Sequence, residues 1–424
     1  MAELTIDSKA PNGTVDTHVV NDGVATPQTV NRATVSEKLA KIGWSNAPLD
    51  TMLRNIGKGK TNSDTFEFYS IAARGVECVV GAEGVAFSTR MTITLSSGVD
   101  CLSKSGVLLV PNIEVKNKVA QPAVSTVVAK PLMLHIVSID YATEGGQIVC
   151  IPINASSANG AVKLAAGTKL YRAGIACDQD TAITDDPQAM PVKDKNYCQR
   201  MLCTISENAY QALQDKNVEF GLADLKEQAI FDFRLQSEMS AIFGGEATTG
   251  ESFIDPISMK RKLHMRGVLD FDIQTITAES AADIDEFLNG AMQKLFSVNN
   301  GSEERILLYG AGFATKLANS KWWTKQLEAN KTEVKWGVTW KMVESNFGRL
   351  RGIMDPALSL SGYENCAVVV DPRHIRVIEQ VPMQERKLDL QKAGIRNSHD
   401  VVLEESITLE LTNPKAHGLL ILPA

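Results

Sequence analysis

Residues 305–327, RILLYGAGFATKLANSKWWTKQL, place an apolar run, two glycines and a helical pattern in succession. A strand that turns through glycine into a helix can cradle a pyrophosphate, because the first helical amides point at the anion. The dinucleotide form of that turn is G-x-G-x-x-G; here Gly310 and Gly312 are followed by Thr315 where the third glycine belongs. Glu333 stands where an acid would meet the ribose, yet NKTEVKW supplies no clean second parallel strand before it. Two glycines alone mark a tight turn, and the stretch is read that way. A nucleotide-using α/β enzyme is the alternative.

Other reactive combinations are thin. IGKGKT would need glycine at position 54 to be a P-loop and has Arg54, so a mobile basic loop is expected there. The six histidines (18, 135, 264, 374, 399 and 417) show no H-x-x-x-H or H-E-x-x-H spacing, and G-x-S-x-G is absent. The seven cysteines (78, 101, 150, 177, 198, 203 and 366) include no C-x-x-C pair. Cys198 and Cys203 have no nearby histidine to complete a zinc set, and reduced, mostly buried thiols are expected. Neighbouring acids in IDEF and LEES read as solvated faces. No cofactor and no metal is expected.

The elements that position these residues come in a legible order. The 424 residues carry a formal net charge of −7, with 44% hydrophobic and 22% charged side chains. Such a chain can build two or three domains but is no dedicated reader of nucleic acid. No apolar stretch reaches the length of a membrane span, and the first residues lack a signal-peptide pattern, so a cytoplasm is the expected compartment. Residues 1–35 show no period and read as an extended arm or a disordered tail; SEKLAKIGW is a short helix before a turn at SNAPLD. Residues 65–184 alternate branched and aromatic runs with turn residues, as in an all-β unit, with Pro111 and Pro152 at edges or bulges. A carbohydrate- or surface-binding β protein is a further reading of that segment.

Then the period lengthens. Residues 224–243 form a helix opened by Asp224 with Glu227 three on, and closed by Gly244 and Gly245. Phe233 lies on its apolar arc, while Lys226, Glu227, Arg234 and Glu238 face away. A second helix is capped by Ser280 and repeats Ile284, Phe287, Leu288, Ala291 and Leu295 at helical spacing. The remainder is strand-rich, and in its last segment Ile407, Leu409 and Leu411 alternate with polar residues, which predicts one buried and one polar face. The second half is α+β, with helices on antiparallel strands.

Ordered short motifs carry a family resemblance. KNYCQRM, SNFGRLRGIMDPAL, CAVVVDPRHIRV and LQKAGIRNSHDVVLEESITLELTNPKAHGLLIL resemble, in sequence order, segments of a group of tailed-bacteriophage major capsid proteins. The likeness covers roughly residues 50–424 and none of its motifs carries chemistry. It implies an α+β fold of the Hong Kong 97 type: an N-terminal arm and lead-in (1–64), an extended loop with a β-rich insertion (65–195), a peripheral domain (196–270), an axial domain (271–380), and a C-terminal return to the peripheral domain (381–424). Residues 224–243 map to its spine helix, 281–296 and 313–327 to axial helices, and 305–309 to an axial strand.

By the same resemblance the chain is a non-enzymatic shell subunit that forms hexamers and pentamers around double-stranded DNA. Its implied partners are copies of itself, portal and auxiliary or decoration proteins, and packaged DNA held weakly and non-specifically, with no membrane. Its implied location is the virion, after assembly in the host bacterial cytoplasm. Phe233, Gly310, Gly312, Trp322 and Trp323 are the structural or assembly candidates. The glycines shape an axial turn, and the tryptophans, with Trp336 and Trp340, serve packing or subunit contact.

Overall fold

The computed structural model describes residues 47–71, 75–82, 90–114, 130–141, 145–154, 164–181, 188–213, 221–245, 253–279, 283–296, 301–329, 332–388, 390–392 and 394–423. The expected arm and the SEKLAKIGW helix lie outside them. Two compact units divide the chain. Among described residues, one holds Ala47, Arg200–Ser237 and Val381–Glu405, and the other holds Pro48–Gln199, Glu238–Gln380 and Ser406–Ala424.

The first described element corrects an expectation. Within the expected turn SNAPLD, Pro48 already begins α1 (Pro48–Ile56), since proline fits a first helical turn whose N–H has no partner to lose. Leu49, Met52 and Leu53 give α1 its buried face. The expected basic loop is also ordered as β1 (Lys58–Lys60), which pairs in parallel with residues 377–379. Gly59 permits this docking, because a Cβ there would come within 2.3 Å of Ile378 Cδ1.

β2 (Thr65–Ser70) leaves toward a separate β structure. There β3 (Glu77–Val80), β4 (Met91–Ser97), β5 (Gly106–Glu114), β6 (Pro131–Asp140), β7 (Gln147–Pro152) and β8 (Lys169–Ile175) close a barrel in the order β3-β4-β7-β6-β5-β8. Closure leaves no edge strand, and the interior is filled by alternate residues such as Leu132, Leu134 and Ile136. Pro111 lies where the β5–β6 register shifts, and Pro152 ends β7. β9 (Val192–Tyr197) returns antiparallel to β2, so the barrel is carried between the strands of a ribbon.

β10 (Gln199–Asn208) and the short α2 (Ala209–Leu213) lead to α3 (Leu222–Phe243). α3 starts before Asp224, whose carboxylate accepts a hydrogen bond from Gly221 N–H at 3.1 Å. Asp224 thus serves the third helical position of a capping arrangement, where its charge also favours the helix N-terminus. The helix ends ahead of Gly244, as expected. Glu238 does not face solvent: it is fully buried.

A small hairpin, β11 (Phe253–Ile254) with β12 (Arg261–Lys262), precedes β13 (Gln274–Thr277) and α4 (Ile284–Leu295). The cap of α4 is Asp283, whose carboxylate accepts from Asp285 N–H at 3.2 Å, and Ser280 lies outside the described residues. After β14 (Glu304–Tyr309) the helix expected over 313–327 is two helices, α5 (Ala311–Asn319) and α6 (Lys321–Ala329). Ser320 breaks them with an extended backbone, and its Oγ accepts from Trp323 N–H at 2.9 Å.

The chain continues through β15 (Glu333–Lys335), β16 (Val338–Glu344), β17 (Arg349–Met354), α7 (Pro356–Leu360), β18 (Cys366–Val370), β19 (Ile375–Leu388), β20 (Ser398–Leu411) and β21 (Gly418–Ile421). A seven-stranded sheet has the order β13-β21-β18-β14-β17-β16-β15. It is mixed rather than antiparallel: β14 runs parallel to β17 and β13 to β21, because helices provide the crossovers that parallel neighbours need. Leu288, Met292, Phe313, Leu317 and Trp323 cover one face against Leu307, Leu350 and Val369. Ile306 and Leu308, on the other face of β14, are equally buried.

A four-stranded sheet has the order β1-β19-β20-β10. The alternation in β20 does not separate a wet face from a dry one. Ile407, Leu409 and Leu411 are buried, and so are Glu405, Ser406 and Thr408. Residues 381–424 divide between the two units, and β21 lies between β13 and β18 in the seven-stranded sheet.

Candidate functional site

The glycine turn is closed to a phosphate by its own fold. At the start of α5, Gly310 N–H donates to Cys366 O at 3.1 Å, Ala311 N–H to Ser359 Oγ at 3.0 Å, and Phe313 N–H to Glu364 O at 2.8 Å. Three of the amides an anion could use are thereby taken, two by carbonyls of the 364–366 segment and one by Ser359. That close approach also explains the glycines. A Cβ on Gly310 would lie 2.5 Å from Glu364 O, and one on Gly312 would lie 2.2 Å from Asn365 Oδ1. Neither glycine has a positive φ, so the expected reason, backbone conformation, gives way to lack of space. Glu333 binds Arg351 at 3.0 Å, which spends its charge within the sheet.

The candidate tryptophans lie beside this turn. Trp323 is buried and meets Tyr309 edge-on, with ring centroids 6.4 Å apart, while Trp322 packs half-buried against the same core. Gly352 of β17 admits the rings, since a Cβ there would be 3.0 Å from Trp323 and 3.1 Å from Tyr309. Trp340 is fully buried and donates its indole N–H to Lys335 O at 2.8 Å. Trp336 presents its ring to Lys335 at 4.4 Å.

Three of the recognisable motifs prove to be buried polar centres. In KNYCQRM, the side-chain amide of Asn196 donates to Leu409 O at 2.7 Å and Arg266 O at 3.1 Å, and its carbonyl accepts from Arg266 N–H at 2.8 Å. In CAVVVDP, the turn residue Asp371 receives Arg305 at 2.9 Å, both side chains being inaccessible to solvent. Asp371 also accepts from Ser302 N–H and Oγ–H, each at 2.8 Å, and its own N–H donates to His417 Nδ1 at 3.2 Å. Burial holds the His417 imidazole neutral, down to about 3. Neutral His417 and the matched Arg305–Asp371 charges make a structural knot and leave no base poised for proton transfer.

The third centre joins Glu238 to the Asp-Pro turn of GIMDPAL. Asp355 caps α7 by accepting from Ala357 N–H at 2.8 Å, and Glu238 accepts from Leu49 N–H at 3.0 Å. The other oxygen of each carboxyl has no donor from the described protein groups. Burial raises both groups above the ordinary carboxylate range, and for Glu238 the neighbouring Asp355 and Asp50 add to the rise. The two carboxyls therefore titrate together, and protonation of the pair is favoured.

In the other unit, Phe233 is 1% exposed, and an apolar cluster joins Ile205, Val401 and Leu403 to Leu222, Leu225 and Ala229. Glu404 sits between Arg200, at 2.7 Å, and Arg386, also at 2.7 Å. The five candidates therefore do not converge: four surround the α5–α6 corner and Phe233 lies in a separate unit. Sequence reasoning missed Glu238, Arg305 and Asp371, whose burial depends on partners tens to hundreds of residues away.

Exposed apolar side chains mark the surfaces available to a partner. Tyr69 and Ile71, in and just after β2, and Met190 and Val192, just before and at the start of β9, are exposed, with Tyr69 and Val192 on opposite faces of the ribbon by register. Ile254, Ile257 and Met259 stand out on the β11–β12 hairpin. No helix among the described residues is long and apolar enough to cross a membrane.

A family model described as SU10 major capsid protein matches residues 20–422. Among solved structures, one from Mycobacterium phage Bobi is similar at 11% identity and a TM-score of 0.46, over 93% of this chain and 96% of that one. One from Mycobacterium phage Adephagia gives 9% identity and a TM-score of 0.43, over 97% and 99%. A virus-like particle from Pyrococcus furiosus gives 13% and 0.34, over 56% and 81%. No curated protein matches the chain. The family match, which spans almost the whole sequence, decides the assignment.

Proposed function

Because the chain belongs to the SU10 major capsid protein family, we propose that it closes the shell of a tailed bacteriophage as hexamers and pentamers of the Hong Kong 97 type. The capsid role itself follows from membership, and the observation that carries the reading is the match over residues 20–422. The proposal adds the manner of assembly. Copies bury the apolar end of the β2–β9 ribbon and the β11–β12 hairpin against neighbours, and the N-terminal arm expected over residues 1–35 ties subunits together. Portal and decoration proteins complete the shell, which assembles in the host bacterial cytoplasm. A net charge of −7 suits a wall that confines DNA with weak, non-specific contact.

Phe233, Gly310, Gly312, Trp322 and Trp323 act in this reading through the subunit's shape, holding the surfaces that neighbours meet. The subunit performs no catalysis of its own. A nucleotide-using enzyme is disfavoured by the occupied amides at the start of α5. Electron microscopy of the expressed protein tests the proposal: closed shells or capsomers are expected, and deletion of residues 2–35 should leave folded subunits that assemble poorly. A monodisperse monomer across a wide concentration range would overturn it.

A further inference from the structure

The barrel contains a feature that shell formation does not use. Cys78 of β3 and Cys101, at the end of the 3-10 turn Val99–Cys101, are buried with their sulfurs 3.4 Å apart. Both thiols reach the same carbonyl, Gly98 O, at 3.3 Å from Cys78 and 2.8 Å from Cys101. Gly98 makes this possible. Its φ of 88° is left-handed, and a Cβ there would stand 2.6 Å from Glu77 O and 2.9 Å from Cys78 Cα. The turn is thus pressed onto β3, and the two sulfurs are held together although 23 residues separate them in sequence.

We propose that Cys78 and Cys101 form an oxidisable dithiol that becomes an intrachain disulfide when the protein meets a small-molecule disulfide such as oxidised glutathione. The sulfurs need to approach by little more than 1 Å to reach a bond length of about 2.05 Å, a change that side-chain rotation can supply. In the first step one cysteine sulfur attacks a glutathione sulfur, the glutathione S–S bond breaks, and one glutathione leaves and takes up the cysteine proton. In the second the other cysteine sulfur attacks the mixed disulfide, the protein S–S bond forms, and the second glutathione leaves with the second proton. The protein loses two electrons and two protons, and the oxidant becomes two thiols.

Location gives the bond a consequence. Among the described residues the β3–β4 seam is short, with Val79 opposite Ser97 and Val80 opposite Leu95 and a register shift between them. A link from β3 to the turn after β4 would staple that seam. Burial and the mutual hydrogen bond keep the Cys78 thiol protonated, so reaction waits on local opening of the turn and is slow. On the shell reading, the pair stays reduced in the cytoplasm during assembly and oxidises after the particle is released.

The test uses the purified full chain carrying Cys177→Ser, which removes the exposed cysteine. It is reduced, freed of reductant, incubated with oxidised glutathione without denaturant, then denatured and alkylated. The expected result is loss of two alkylatable thiols, a mass lower by two hydrogens, and one peptide pair linking Cys78 to Cys101. The melting temperature should rise, and dithiothreitol should reverse the rise. Retention of both thiols, linkage of a different pair, or two separate glutathione adducts would overturn the proposal. Cys101→Ser should abolish the shift, but the mapping does not depend on that variant folding. Because the readout is made on subunits, it is independent of whether shells form.

Discussion

Glu238 and Asp355 meet as two buried carboxyls, each with one oxygen bonded to a backbone N–H and the other oxygen left to its partner. They draw together the C-terminal part of α3, the first turn of α1 and the cap of α7, all within one unit. Asp50 adds a nearby negative charge and is itself bound to Arg54 at 2.8 Å. A proton shared between Glu238 and Asp355 would relieve the burial of two negative charges.

This sets the sign of a pH dependence. Both carboxyls titrate higher in the folded protein than in the unfolded chain. Their stabilisation is therefore complete below the unfolded value, about pH 4, and is lost as pH rises through the raised native values. The melting temperature of wild type should fall across that window. Glu238→Gln keeps a donor toward Asp355 and should flatten the fall; an identical slope in the variant would refute the shared proton.

Breaking the other buried centre should cost more. Arg305 and Asp371 are both inaccessible, and removing one member of such a pair typically destabilises by about 3–5 kcal/mol. Arg305→Met should approach that loss in denaturant unfolding because it strands Asp371. The double variant Arg305→Met with Asp371→Leu should recover part of it. If the double is as unstable as the sum of its single variants, the two side chains act independently.

Phe233 tests the other unit. Its ring is 1% exposed, and Phe→Ala in a packed core costs about 3–5 kcal/mol. Phe233→Ala should lower both subunit stability and particle yield, while Arg234→Ala should change stability little. Equal stabilities would show that the ring contributes nothing to the core.

At the glycine turn the expectation is steric. Gly312→Ala drives a methyl against Asn365 Oδ1 and should lower the melting temperature, and adding Asn365→Ala should restore it. ATP and NAD at millimolar concentration should leave wild type unshifted. A saturable rise of several degrees would mean that the amides of α5 accept a ligand after all.

Local pattern was enough to read much of this protein. The helical spacing around Phe233 and Leu288, the branched runs of the barrel and the strand–turn–helix at Gly310 are encoded by neighbours within one or two turns of chain. The ordered motifs also pointed to the capsid family that the match over residues 20–422 establishes. What local pattern missed depends on distant partners. Glu238 falls on the polar side of its helix, yet its burial is decided by Leu49 and Asp355, 189 residues before it and far beyond it in sequence. Asp283 caps α4, Ser320 splits one expected helix into two, and Lys58–Lys60 of the expected basic loop form a strand because β19 lies beside them. Gly312 shows the division within a single residue. Its sequence context announced a turn, but only the fold brings Asn365 Oδ1 to 2.2 Å from where a Cβ would stand. Short-range periodicity specifies elements, whereas burial, charge pairing and close contact are settled by which elements the tertiary fold brings together.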